Sequence, residues 1–272
     1  MNYRHAFHAG NFADCVKHAL LVWMLRAMQR KPTPLRVLDA HAGRGEYPLD
    51  SDEAKRSGEW WEGVGRLMAV TDGPLADMVG LVRALGMPAT YPGSPRIIQS
   101  LLRPDDVLLL NELHPEDHAA LRRALRGTPA HMRDAYECAR ALTPFPEKRG
   151  LVLFDPPFEA PDEFARLAAG MARVWARARG HVQVAWYPLK HMAPVLAFHD
   201  AIREAGLRDA LAAELWLREP LDATRLNGCG LLILNAPFGF EEAGAAILAA
   251  LLERLGDGEP GAGTRILRVA DE

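Results

Sequence analysis

The sequence predicts an α/β fold built on a mostly parallel sheet with helices on both faces. Two observations support this prediction. Short apolar runs alternate with longer stretches of helical periodicity along the chain, and such alternation implies parallel strands joined by helices. Several runs also end in a glycine-bearing turn or an acidic residue, and sheets of this kind bind ligands at the carboxyl ends of their strands.

The apolar runs predict strands at residues 35–40, 107–111, 150–154, 181–186, 212–217 and 230–234, with a brief one at 130–133 and a final one at 265–269. A helix is predicted at 12–29, with Asn11 as N-cap and Asp14 three residues later in a weak capping box. On this helix Asp14, Lys17 and His18 share one side, opposite an apolar stripe. Residues 46–90 interrupt the alternation with helical patterns, so we interpret them as a helical insertion within a single domain spanning 1–272.

Composition argues against several classes of protein. With 272 residues, 49% of them hydrophobic, the chain is long enough for one large domain with a substantial core. It has no apolar run of membrane-spanning length and no basic region followed by an apolar stretch near its start, so we expect a cytoplasmic protein that contacts no membrane. Three widely spaced cysteines, Cys15, Cys138 and Cys229, argue against a disulfide framework and fit a reducing compartment.

The charge of the chain argues against binding nucleic acid through the overall field. The formal net charge is −3, so a nucleic-acid partner would need a local basic patch. Of the 32 basic residues only five are lysines, and some arginines form two clusters, one at residues 122, 123, 126 and 133 and one at 173, 177 and 179. Each cluster is either a solvated helix face or part of a path for phosphates.

The most informative segment is Asp155-Pro156-Pro157-Phe158, which directly follows the run at 150–154. We call a segment that directly follows a predicted strand a corner. An exocyclic amino group on a nucleobase is a poor nucleophile, because its lone pair is delocalised into the ring. Asp155 and the Pro156 carbonyl could each accept one of its N–H groups. Phe158 could stack on a base that has left its helix. The alternative is a strand that ends in a Pro-Pro turn, with Asp155 capping the next element.

Three other strand ends carry residues suited to a nucleoside. Gly43 and Gly45 follow the first run and allow close backbone approach, but they lack the spacing of the dinucleotide fingerprint, which counts against a nicotinamide enzyme. Glu112 could accept both hydroxyls of a ribose or could cap the next helix. Asp134 could accept an adenine amino group or be a solvated loop acid. Such an ordered series is less expected by chance than any one of its members.

A second corner resembles the first but is weaker. Residues 235–238, Asn-Ala-Pro-Phe, also follow an apolar run. This corner has only one proline, and an amide is a weaker acceptor than a carboxylate, so we do not expect it to be catalytic. A zinc site is not expected either, because Cys15 and His18, with His5 and His8 nearby, lack a regular four-ligand spacing.

Together these residues resemble the class I S-adenosylmethionine methyltransferases, and residues 155–158 resemble the D-P-P-Y/F motif of enzymes that methylate amino groups. Further blocks are similar to a bacterial family that methylates N6 of one adenine in 23S ribosomal RNA: YRHAFHAGN at 3–11, LDAHAGRG at 38–45, YPGSP at 91–95, ELHP at 112–115 and WYP at 186–188. The resemblance spans nearly the whole chain. It implies a Rossmann-like fold with a mostly parallel seven-stranded sheet, helices on both faces and a small helical insertion.

The resemblance also implies the residues of the site. Those expected around S-adenosylmethionine are Lys17, His18, His41, Ser94, Glu112, Asp134, Ala135 and Asp155. Asp155 is also expected to be catalytic by orienting the target amine, and substrate contacts are expected from Tyr3, His5, Pro156 and Phe158. Two positions depart from the family pattern. Phe158 stands where the family can carry tyrosine, and residues 134–135 lack an expected glycine.

The expected function is direct in-line methyl transfer to a flipped-out adenine, with 23S ribosomal RNA as partner and the chain acting as a monomer. Alternatives among enzymes are methylation of DNA adenine, of cytosine N4 or of protein glutamine. A non-catalytic RNA-binding module that retains the fold is an alternative from a different class. The sequence does not specify which nucleotide is modified or whether the substrate is naked RNA or an assembly intermediate.

Overall fold

The computed structural model describes residues 4–271, so Tyr3, a predicted substrate contact, lies outside the described residues. The helices of the described part are α1 (Phe12–Gln29), α2 (Asp52–Ser57), α3 (Ala76–Ala84), α4 (Ser94–Leu101), α5 (Pro115–Ala124), α6 (Ala135–Leu142), α7 (Glu163–Trp175), α8 (Met192–Glu204) and α9 (Phe240–Leu255). The strands are β1 (Leu35–Asp39), β2 (Glu46–Pro48), β3 (Thr90–Pro92), β4 (Val107–Asn111), β5 (Ala130–His131), β6 (Arg149–Phe154), β7 (Val182–Leu189), β8 (Ala210–Trp216), β9 (Gly228–Leu234) and β10 (Gly263–Ala270).

The main sheet has the strand order β10-β8-β9-β7-β6-β1-β4-β5. The strands β5, β4, β1, β6 and β7 run parallel, whereas β9 is antiparallel to both β7 and β8, and β10 is antiparallel to β8. The carboxyl ends of the five parallel strands therefore meet at one edge of the sheet. The strand β9 ends at the opposite edge, because its last residue, Leu234, pairs with Gln183 near the start of β7.

The mostly parallel sheet is confirmed, but the count of seven strands that the family resemblance implied is wrong, because the main sheet of the described residues has eight. The apolar runs themselves predicted eight, and the last of them is the edge strand β10, which pairs with β8. Every predicted strand is present, with ends that lie within three residues of the predicted ones.

The helix predicted at 12–29 is confirmed at both ends as α1. Asn11 caps it, since the Asn11 side chain accepts the Asp14 N–H at 3.0 Å. The apolar stripe of α1 packs into the core, but the side that carries Asp14, Lys17 and His18 is buried as well. A buried charged face on a helix requires partners, and one of them, Asp155, lies where the parallel strand β6 ends.

Two hydrophobic clusters fill the two sides of the sheet. Leu151 and Leu153 enter one cluster, while the alternating residues Val152 and Phe154 enter the other. The first cluster includes residues of α1, α4, α5, α9 and the insertion, and the second includes residues of α6, α7 and α8. Helices therefore cover both faces, which explains why the central strands are apolar at nearly every position.

The segment 46–90 holds α2, a short π-helical turn at Trp61–Gly65 and α3. It begins and ends in β2 and β3, which pair as a two-stranded antiparallel ribbon. Strands of three residues carry too short a pattern for the sequence to indicate. The segment contacts the N-terminal part of the chain, where the Val64 N–H donates to the Gly10 carbonyl at 2.8 Å. Within residues 4–271, none of the helices combines the length and apolar character that a membrane crossing requires.

Candidate active site

A cavity of about 600 Å³ lies at the edge where β1, β4 and β6 end. Its volume is in the range of small-molecule sites. Every predicted site residue within the described part of the chain lines this cavity: His5, Lys17, His18, His41, Ser94, Glu112, Asp134, Ala135, Asp155, Pro156 and Phe158. The corners after the parallel strands and the charged side of α1 therefore meet in one place.

Asp155 ends a chain of charged groups that begins near the N-terminus. Lys17 Nζ lies 2.6 Å from Asp155 Oδ2 and 2.8 Å from Asp14 Oδ1. On its other oxygen, Asp14 contacts His5 Nε2 at 3.0 Å and accepts the Gly10 N–H at 2.9 Å. Asp14 and Lys17 are almost fully buried, whereas the Asp155 side chain is 17% exposed. The Asp155 carboxylate is thus held by an ammonium group while part of it stays accessible.

The two buried charges on α1 stabilise each other. Burial alone would raise the pKa of Asp14, but His5 and Lys17 hold it well below its usual range. Burial likewise opposes the charge on Lys17, but Asp14 and Asp155 hold the pKa of its ammonium group well above its usual range. Removing one member would leave a buried charge without its partner, which is strongly unfavourable. Lys17 therefore fixes the position of the catalytic candidate.

His41 fixes the backbone of the same corner. The Asp155 N–H donates to His41 Nδ1 at 3.1 Å, so Nδ1 is the acceptor and a neutral ring carries its proton on Nε2. Burial lowers the pKa of His41 to about 4, which keeps the ring neutral at physiological pH. This hydrogen bond joins the corner after β1 to the corner after β6.

Glu112 ties the glycine turn to the end of β4. One carboxylate oxygen accepts the Gly43 N–H at 2.8 Å, and the other accepts the His114 N–H at 2.7 Å. Burial raises the pKa of Glu112, although these two N–H groups act to lower it. The alternative, in which Glu112 caps the next helix, is not what the structure has, because α5 receives no side-chain cap. Each oxygen keeps a further lone pair, as a contact to ribose hydroxyls requires.

Asp134 caps the start of α6, a role that neither sequence interpretation included. Its Oδ1 accepts the N–H groups of Tyr136 and Glu137, both at 3.0 Å, and its Oδ2 lies 3.0 Å from Arg166 Nη2. Ala135 is the first residue of α6 and is buried. Neither residue 134 nor 135 has a positive φ, so the backbone does not require the glycine that the family pattern suggested.

Ser94 and His18 make the two remaining polar contacts of the predicted set. Ser94 Oγ donates to Asp39 Oδ2 at 2.7 Å, and burial raises the pKa of Asp39 to about 7 although this hydrogen bond lowers it. His18 Nδ1 lies 2.7 Å from the Tyr91 hydroxyl, and burial lowers the pKa of His18 to about 3. Among the described residues, His18 Nε2 has no hydrogen-bond partner. It is a buried polar atom on the wall of the cavity, where a ligand or water would satisfy it.

Phe158 belongs to an aromatic group beside Asp155. Its ring centroid lies 4.7 Å from that of Phe164 and 5.8 Å from that of Trp186, both in edge-on geometry. Phe158 has φ +51°, a conformation that costs a non-glycine residue about 1–2 kcal/mol. Strained residues of this kind cluster at functional sites. Phe158, Trp186 and Pro156 give the cavity an apolar wall next to the carboxylate.

The corner at 235–238 takes no part in the cavity. The Asn235 side-chain amide donates to the carbonyls of Arg179 and His181, at 2.7 and 2.8 Å. Phe238 is 95% exposed. Within residues 4–271, no group of three or more histidine, cysteine or acidic side chains is placed to hold a metal ion.

Sequence reasoning missed two residues that organise the site. Asp14 was recognised as part of the helix start and as sharing one side of α1 with Lys17 and His18, but it was not predicted to belong to the site. Asn111 gave no signal. Its amide donates to the carbonyls of Ala40 and Arg133 at 3.0 and 3.1 Å, and it accepts the Arg133 N–H at 3.2 Å. One buried side chain thus ties together the corners after β1, β4 and β5.

The cavity fits S-adenosylmethionine, the predicted methyl donor. Glu112 offers carboxylate oxygens at the strand end where doubly wound folds hold a ribose. His18 Nε2 offers a buried polar atom without a partner among the described residues. The turn also requires glycine, because Gly43 has φ +60°. The residues that would hold this molecule therefore surround one space that also contains Asp155.

Comparisons with known proteins agree with this description. The family model described as ribosomal RNA large subunit methyltransferase D, RlmJ, matches residues 32–268. Two similar proteins are both called ribosomal RNA large subunit methyltransferase J. The one from Escherichia coli (strain K12) is 32% identical over 250 residues, which cover 89% of each chain. The one from Haemophilus influenzae is 33% identical over 264 residues, which cover 94% of each chain.

Solved structures agree on the fold. Protein LPL1258 from Legionella pneumophila superposes with a TM-score of 0.87 at 28% identity, covering 96% of this chain and 98% of that one. A probable spermidine synthase from Corynebacterium glutamicum superposes with a TM-score of 0.53 at 12% identity, covering 95% of this chain and 75% of that one. The second likeness concerns the fold alone.

Proposed function

Because this chain belongs to the family of ribosomal RNA large subunit methyltransferases and uses S-adenosylmethionine as its methyl donor, we propose that it methylates N6 of one specific adenine in 23S ribosomal RNA. The transfer is direct and in line, and the adenine is flipped out of its helix. The proposal extends the assignment of an rRNA methyltransferase to a particular atom of a particular base.

One observation carries the proposal. The Asp155 carboxylate lines the same cavity as the glycine turn and Glu112, and Lys17 at 2.6 Å holds it there. A carboxylate followed by a proline carbonyl supplies two acceptors for the two hydrogens of one planar amine. Uracil has no exocyclic amine to offer, so the corner favours a base that carries one, such as adenine or cytosine.

The chemistry needs alignment more than activation. S-adenosylmethionine supplies a methyl group that its sulfonium has already activated. Asp155 and the Pro156 carbonyl accept the two N–H groups and turn the nitrogen lone pair towards the methyl carbon. The transfer would form the new C–N bond and release S-adenosylhomocysteine as the C–S bond breaks. Asp155 would stabilise the positive charge on the amine nitrogen, and the proton that this nitrogen releases would pass through the carboxylate to solvent. His41 holds the Asp155 backbone and Lys17 holds its side chain, so little reorganisation is needed.

The aromatic wall supports a flipped base as the substrate. Phe158 and Trp186 line the cavity next to Asp155, and an unstacked base loses several kcal/mol of stacking that an aromatic side chain can partly replace. The strained φ of Phe158 places this ring at the end of the Pro-Pro turn. His5, linked to Asp14 at 3.0 Å, brings the N-terminal segment to the same cavity, where we propose that it contacts the RNA.

Mass-spectrometric mapping of methylated nucleosides in 23S RNA from cells that lack the protein tests the proposal. We expect the loss of one N6-methyladenosine, with all other modifications retained. Unchanged adenosine methylation, or the loss of a different methylated nucleoside, would contradict it.

A transfer assay with labelled S-adenosylmethionine separates the alternatives. Purified protein is given deproteinised 23S RNA from the deficient cells, DNA, or total protein from the same cells. We expect label in RNA only. Label in DNA or protein would favour another planar amine as acceptor. RNA binding without binding of S-adenosylmethionine in calorimetry would favour a non-catalytic module.

A further inference from the structure

Four exposed arginines near the active-site side of the sheet make no ion pair with any other residue of the described range 4–271. These are Arg122, Arg123, Arg126 and Arg133, which we call the α5 patch. Among residues 4–271, none of the hydrogen bonds or ion pairs involves the guanidinium group of any of the four. The stretch from residue 118 to 133 contains no aspartate or glutamate, so no acidic residue within it offsets the charge.

The second arginine cluster of the chain differs. Arg173 Nη1 lies 3.4 Å from Glu137 Oε1, and Arg177 Nε donates to the Thr143 carbonyl at 2.8 Å. These two side chains are used within the fold. Most arginines of this protein have such contacts, so a cluster whose four guanidinium groups have no partner within residues 4–271 is not explained by the arginine-rich composition alone.

The patch lies beside the entrance to the active site. The inner face of α5 packs on the glycine turn, because a Cβ added to Gly45 would lie 2.7 Å from Leu125 Cδ1 and 3.3 Å from Leu121 Cδ1. The three arginines of this helical region lie on its outer face, and they line a groove of about 330 Å³ together with His118 and Ala119. Arg133 directly precedes Asp134, which lines the active-site cavity. The patch therefore runs from the rim of the cavity along the β4–β5 side of the sheet.

We propose that the α5 patch binds the phosphodiester backbone of the RNA that flanks the target nucleotide. The inference rests on the proposed function and adds the surface that docks the substrate. A chain with net charge −3 repels RNA on average, so binding requires a local field of opposite sign. Guanidinium groups suit phosphates, because their planar N–H donors match two phosphate oxygens at once. Ion pairs with acidic residues of the protein would compete with that contact, and the patch has none.

The test is a quadruple variant, Arg122→Gln with Arg123→Gln, Arg126→Gln and Arg133→Gln, compared with a variant that removes exposed arginines elsewhere. The control carries Arg179→Gln, Arg208→Gln and Arg254→Gln, three exposed positions. Arg179 and Arg208 precede β7 and β8, at the edge of the sheet opposite the cavity. The single variant Arg133→Gln is added to separate the rim from the helix face.

The probe is deproteinised 23S ribosomal RNA, with binding measured by filter retention across a series of salt concentrations. We expect the patch variant to bind the RNA about 10- to 100-fold more weakly than wild type at low salt. The slope of log affinity against log salt concentration should become shallower by about 3, because four phosphate contacts are lost. Its kcat at saturating RNA and its affinity for S-adenosylmethionine should match the wild type, which also shows that it folds. The control variant should bind RNA within about twofold of the wild type.

Two results are distinguishable. If the patch variant keeps the affinity and the salt slope of the control while wild type methylates the RNA, the α5 patch is not the docking surface and the proposed function stands. If wild type itself neither binds nor methylates 23S RNA, the proposed function fails, and the patch proposal fails with it.

Discussion

Two corners of the sheet, after β6 and after β9, are similar in sequence and different in the folded protein. Both follow a buried apolar strand, both contain proline and phenylalanine, and both hold a non-glycine residue at positive φ, Phe158 at +51° and Asn235 at +54°. The Asp155 carboxylate contacts Lys17 in the cavity, whereas the Asn235 amide is bonded to two backbone carbonyls. The difference comes from strand direction. The strand β6 ends at the edge of the sheet where the carboxyl ends of the parallel strands meet, whereas the antiparallel strand β9 ends at the opposite edge.

Similar strand-end motifs share a cavity with other strand ends only where neighbouring strands end beside them. At the edge where the parallel strands end, the corner after β6 meets the glycine turn, Glu112 and α1. At the opposite edge the corner after β9 meets the starts of β7 and β8, where the Asn235 N–H donates to the Asp209 carbonyl at 3.0 Å. The Asn235 side chain there satisfies backbone carbonyls.

Asp155→Asn should have the largest effect. The amide keeps the shape of the corner but loses the charge that, in our proposal, stabilises the target nitrogen, so we expect kcat to fall by about 10²- to 10⁴-fold. The affinity for S-adenosylmethionine, measured by calorimetry, should be largely unchanged. Activity near the wild-type level would remove the distinction between the two corners.

Asp39→Asn measures how much free energy of unfolding the protein loses because it buries the Asp39 carboxylate, which unlike Asp155 has no contact with a lysine. Burial raises the pKa of Asp39 to about 7 from 3.8, so between pH 4 and 7 the folded protein holds a proton that the unfolded chain has released. Wild type therefore loses stability as pH rises through this interval. We expect the free energy of unfolding of Asp39→Asn, relative to wild type, to increase by up to about 4 kcal/mol from pH 4 to pH 8.

Urea titrations at pH 4.5 and pH 8 measure this difference. The control is Asn111→Asp, which places a new buried carboxylate at the neighbouring strand end and should lose stability in the same pH direction. A pH-independent difference between Asp39→Asn and wild type would mean that Asp39 is ionised in the folded protein throughout.

Phe158→Leu and Phe238→Leu compare the aromatic residues of the two corners. Phe158 lines the cavity, and the loss of stacking on a flipped base should lower kcat/KM by about 10- to 100-fold, equivalent to about 1–3 kcal/mol. Phe238 is 95% exposed at the other corner, so its replacement should leave kcat/KM unchanged. Equal losses in the two variants would contradict the assignment of the base to the β6 corner.

Asn235→Ala should have the smallest effect on activity and a modest one on stability. Two hydrogen bonds to backbone carbonyls are lost, which should lower the free energy of unfolding by about 1–3 kcal/mol. Methyl transfer should be unchanged when measured well below the melting temperature. Asn235→Gly separates the causes, because glycine adopts the positive φ without strain and should retain more stability than alanine only if backbone conformation matters.

Local features of the fold were predictable from the sequence because they depend on neighbouring residues. The helix α1 begins directly after its cap Asn11 and ends at Gln29, as its cap and periodicity indicate. The strands of the main sheet were recognised from their apolar runs. The ribbon of β2 and β3 was not predicted, since three-residue strands carry little pattern.

The residues of the candidate site were predictable from the sequence, but the contacts between them were not. Residue types at strand ends indicated Asp155, Glu112 and Asp134, and the resemblance supplied the others. The ion pair between Lys17 and Asp155 joins residues 138 positions apart, and no local pattern encodes such a distance. The use of Asp134 as a helix cap and of Asn111 as a tie between three corners also depends on groups that only folding brings close.

The sequence by itself determined which segments form strands and helices, and which strand ends carry a carboxylate, a glycine turn or an aromatic ring. These properties follow from periodicity and side-chain chemistry along a few residues. Only the tertiary structure decided which of those ends share a cavity. A buried apolar strand has the same pattern in either direction, so the pairing of β9 against β7, which sends Asn235 to one edge and leaves Asp155 at the other, is set by contacts between distant segments.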